Sequence, residues 1–143
     1  MLRIGFLPSD FNPMVLILGE AEDFLALAGV LRRFARKPEP IRLDTLPFTQ
    51  PGGARLILTE AEQQSRVELV GGAPVWRLAS GIALRFASQL DTLADPAMPA
   101  GSEMLECGTG EEIPVKASRG EYTDDFLLPL RCEPMSDRST TPG

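Results

Sequence analysis

A chain of 143 residues, 43% apolar and 24% charged, has the composition of one folded domain whose core needs neither a metal nor a disulfide. It contains no histidine, which removes the Ser-His-Asp and Cys-His nucleophile systems and the HExxH metal sites together. Its net charge of −6 disfavours phosphate backbones and anionic lipid, so neither nucleic acid nor membrane is an expected partner.

At the N-terminus, Met14 to Leu18 is an apolar run too short to span a bilayer, and Pro8 and Asp10 break it as a signal-peptide core. A cytoplasmic location is expected, with Cys107 and Cys132 reduced. Met14 to Leu18 reads as a strand, and Leu2 to Leu7 as a second. Glu20 to Arg36 is the clearest helix, because Phe24, Leu27, Ala28, Leu31, Phe34 and Ala35 recur on one helical face. Acidic Glu20, Glu22 and Asp23 at its start and Arg32, Arg33, Arg36 and Lys37 at its end complement the helix dipole before Pro38 and Pro40 stop it. The four cations fit a solvated last turn better than an anion site. Gly29, costly inside a helix, is either tolerated or a sign of close approach by another backbone.

Four short strands are expected next: Ile41 to Leu46, Ala54 to Thr59, Arg66 to Val70 and Val75 to Leu78. Turn sequences bound them, Gly71-Gly72 above all, and the reading is an antiparallel meander with its arginines on the exposed face. Ser80, as N-cap, opens a second amphipathic helix to about Leu93, carrying Ala83, Phe86, Ala87 and Leu90 on one face. Glu103 to Cys107 and Ile113 to Ala117 close the series as two strands. The order β-α-β-β-β-β-α-β-β defines an α+β domain over 1–118, with two helices packed on one face of a mainly antiparallel sheet and no evident internal repeat.

Residues 119–134 form an acidic arm with an apolar cluster, and 135–143 are expected to be disordered. The balance of charge is −1 over residues 1–100, from ten basic and eleven acidic groups, and −5 over 101–143, from four and nine. Phe126, Leu127, Leu128 and Leu130 are too apolar to stay in water, so they dock on their own domain or reach a neighbouring subunit. Intrachain docking is favoured, since it avoids the translational and rotational cost of association. Glu121, Asp124 and Asp125 gather three carboxylates of the kind that serve acid/base work or hold a hard cation, but the spacing is not that of an EF-hand, and a solvated loop is the simpler reading.

Cys107 precedes a Gly-Thr-Gly turn whose amides are able to hold an anion; without histidine to activate it, an inert buried thiol is the better account. No glycine loop has the pattern of a nucleotide site, and neither a cofactor nor a metal is expected. Trp76 and Tyr122 line a pocket or, by default for the tryptophan, fill the core. Three functional readings follow. The favoured one is a non-enzymatic protein-protein interaction module, homodimeric through a sheet edge, a helix face or the Phe126–Leu130 arm. The second is a small-ligand pocket between helices and sheet. The third is a histidine-free acid/base enzyme or divalent-cation site built on Glu121, Asp124 and Asp125.

Overall fold

The computed structural model describes residues 1–7, 13–97, 101–108 and 112–120. Eight strands and two helices follow in chain order: β1 (Arg3–Leu7), β2 (Met14–Leu18), α1 (Ala21–Arg36), β3 (Ile41–Arg42), β4 (Ile57–Glu60), β5 (Arg66–Val70), β6 (Ala73–Leu78), α2 (Ser80–Leu93), β7 (Gly101–Met104) and β8 (Val115–Arg119). The class is α+β, but in place of one mainly antiparallel sheet there are two mixed sheets, ordered β1-β2-β8-β7 and β3-β4-β6-β5. The meander fails at its middle: β4 lies parallel to β6, and β5 pairs antiparallel with β6 only. The helices therefore serve both sheets, and residues of α1, α2 and all four central strands share a single buried cluster.

Local chemistry explains the altered boundaries. The expected strand from Ile41 stops after two residues because Leu43–Thr45 turns into a 3-10 helix. Leu43 is buried there, and the Asp44 carboxylate accepts from Arg42 Nη2 at 2.6 Å and from the Leu56 amide at 3.2 Å, which ties the turn to the approach of β4. Ser80 does not cap α2. Ala79 holds the N-cap position, and its amide donates instead to Ser65 Oγ at 2.8 Å. At the start of α1 the Glu20 amide donates to Asp23 Oδ2 at 2.8 Å, so the acidic first turn satisfies an otherwise orphaned donor. Glycines at 71 and 72, with φ of 60° and 83°, make the β5–β6 turn that L-residues would resist.

An internal repeat, unexpected from the sequence, governs the architecture. The chain reads as two consecutive units, β1-β2-α1-β3-β4 and β5-β6-α2-β7-β8, and each unit gives its first two strands to one sheet and its last two to the other. Exchanging the units therefore exchanges the sheets. The registers agree: Ile17 lies beside Ala117 across the parallel pair of the first sheet as Trp76 lies beside Leu58 in the second, and Arg3 faces Leu18 as Arg66 faces Arg77. The helices obey the same correspondence, with Leu27, Ala28, Leu31 and Phe34 buried in α1 where Phe86, Ala87, Leu90 and Leu93 are buried in α2. Arg32 and Asp91, equivalent positions 59 apart in sequence, form an ion pair between the helices, which places that pair at the approximate two-fold relation of the units. Sequence identity between the units is too slight to reveal this; only topology and register carry it.

Candidate interaction edge

The two units are equivalent in plan and unequal at their edges. In the first sheet the outer edge of β1 is sealed by the connection between β3 and β4. The Leu2 amide donates to the Phe48 carbonyl at 2.7 Å, the Gln50 amide to Leu2 at 2.7 Å and the Ala54 amide to Ile4 at 2.8 Å. Gly53 lies so close that a Cβ there would sit 2.5 Å from the Ile4 carbonyl oxygen, which explains the absence of a side chain at the seal.

By the repeat, the connection between β7 and β8 should seal β5 in the same way, but it has ten residues where its counterpart has fourteen. Its described part folds back on itself instead: the Cys107 and Gly108 amides donate to the Glu112 carboxylate at 2.9 and 2.8 Å. Among the described residues, no backbone group outside the second sheet bonds to β5. The outward backbone groups beside β1 belong to Leu2 and Ile4, whose equivalents by register are Ser65 and Val67, and alternation along the strand adds Leu69 to them. Leu69 and Val70 are 46% and 54% exposed, and natural sheets rarely leave an apolar edge uncovered.

The outer face beside this edge is polar. The Glu68 carboxylate accepts from Arg66 Nη2 at 2.8 Å and from Arg77 Nε at 2.7 Å, and these two guanidiniums, Arg66 foremost, hold it below the usual carboxylate range. Glu62, Gln63, Gln64, Arg66, Glu68 and Arg77 line an open cavity of about 420 Å³ there. The arginines expected on the exposed face, Arg42, Arg66 and Arg77, are on it, paired with Asp44 and Glu68.

Other sequence expectations resolve differently. Trp76 is fully buried and stacks on Phe86 with centroids 5.6 Å apart, so it fills the core rather than lining a pocket. Open space surrounds the Cβ position of Gly29, which rules out close backbone approach. The amides of Cys107 itself and of Gly108 already hold the Glu112 carboxylate. Burial first, and then that carboxylate, push the thiol up to about 12, and a thiol so protonated is a poor nucleophile. The arm residues Phe126, Leu127, Leu128 and Leu130 and the carboxylates Glu121, Asp124 and Asp125 lie outside the described residues, as do Tyr122, Cys132 and 135–143. Among the described residues no group of three acidic or thiol side chains is placed to hold a metal ion, and no helix is long and apolar enough to cross a membrane. The sequence does place β5 and its exposed residues, but it gives no sign that one edge is sealed and the other open, because that depends on pairing across the repeat.

No known protein family matches this chain, and no curated protein or solved structure matches it either.

Proposed function

We propose that the protein is a non-enzymatic protein-protein interaction module that takes up its partner by strand addition at β5, and that the partner is a second copy of this chain. The open β5 edge, set against the sealed equivalent edge of β1, carries this reading. The edge is self-complementary. An antiparallel pairing centred on Val67 sets Val67 opposite its own copy and Leu69 opposite the copy's Ser65, using the outward backbone groups of all three, and brings Arg66 opposite the copy's Glu68 in both directions, as an isologous contact requires. Light scattering on the full chain across a concentration series tests it: a monomer–dimer equilibrium is expected, abolished by Leu69→Lys with the circular dichroism unchanged. A monomer at every concentration, or a dimer indifferent to Leu69→Lys, would overturn it.

A further inference from the structure

We propose a second docking surface, independent of β5: the outer face of the first sheet receives this chain's own segment 121–130, in cis. In β2, Val15 and Ile17 enter the shared core, so alternation sends Leu16 and Leu18 to the opposite face, and neither belongs to the core cluster. They are nonetheless 2% and 1% exposed, and Ser118, beside Leu18 on β8, is equally buried. The helices and the second sheet lie on the inner side, so the core does not account for that burial.

The repeat supplies an internal reference. Equivalent positions on the outer face of the second sheet hold Val75, Arg77 and Thr59, all only partly buried. Where that face presents a guanidinium to water, this one presents leucine, the residue expected beneath an apolar cover.

Charge and connectivity select the occupant. Arg3 lies opposite Leu18 and Lys116 beside Leu16, so two cations frame the leucines. The segment that follows β8 carries Glu121, Asp124 and Asp125 and then Phe126-Leu127-Leu128-Pro129-Leu130, an acidic run leading into an apolar one. β8 is a central strand of this very sheet and hands over at Gly120. Six extended residues reach about 20 Å, while four strands span about 14 Å, so Phe126 to Leu130 can reach any part of the face. A tether this short makes docking effectively unimolecular, which favours the cis occupant over a copy from solution.

A nitroxide on Cys132 of the full chain, with Cys107→Ser as the background, tests the assignment by paramagnetic broadening of backbone amides. Broadening is expected at 14–18 and 116–118 and not at the equivalent positions 75–77 and 57–59. Adding Leu127→Asp and Leu128→Asp should remove it while the remaining spectrum stays in place. No broadening on the first sheet, equal broadening on both faces, or broadening that appears only when labelled chains are mixed with isotope-enriched unlabelled ones would overturn the proposal.

Discussion

The Cys107 thiol shows how burial, and after it one neighbouring carboxylate, set reactivity. Its two adjacent amide donors, the groups that would otherwise stabilise an anion, are occupied by Glu112, which leaves a negative charge beside the sulfur. With a folded pKa near 12 against about 8.5 for a free thiol, the stability linked to its proton is complete below the lower value and is lost as pH rises towards the upper one. In a Cys132→Ser background, Glu112→Gln should therefore speed alkylation of Cys107 at pH 8, and Cys107→Ser should flatten the alkaline fall in thermal stability. Unchanged alkylation would mean that burial alone sets the thiol. The role of Glu112 was not legible in the sequence, since nothing local states that its carboxylate folds back onto the amides of Cys107 and Gly108.

At the scale of elements, two glycines with opposite surroundings make a matched pair of predictions. Gly29 sits inside α1 with open space about its Cβ position and no left-handed backbone, so Gly29→Ala should stabilise the protein by about 0.5–1 kcal/mol in denaturant unfolding. Gly53→Ala would drive a methyl into the Ile4 carbonyl and should cost about 1–3 kcal/mol while unsealing the β1 edge, seen as faster amide exchange at Gln50 and Ala54. Both helices, β5 and β2 were readable from the sequence because their periodicity and turn residues are local. The partners of β4 and β8 were not. A parallel pair needs a crossover, and nothing within the four or five residues of either strand states which distant strand lies beside it.

For the whole molecule, the exchange of strand pairs makes the two units interdependent. Each sheet is centred on a parallel pair drawn from both units, β2 with β8 and β4 with β6, and the helices meet through equivalent faces. Cleaving the chain between β4 and β5 should give fragments 1–62 and 63–143 that lack cooperative unfolding alone and recover it when mixed one to one. A fragment that folds cooperatively by itself would show that the units are separable. The four edge strands of this scaffold fall into two equivalent pairs, β1 with β5 and β3 with β7, and the asymmetry between β1 and β5 lies in the longer connection that closes the edge of β1.

The most direct measurement is amide hydrogen exchange of the full chain over a range of protein concentrations. Exchange at Val67 and Leu69 should slow as concentration rises, while Leu2 and Ala54, whose amides donate across the sealed β1 edge, stay protected throughout. If β5 exchanges at one rate at every concentration, the open edge is not an interface.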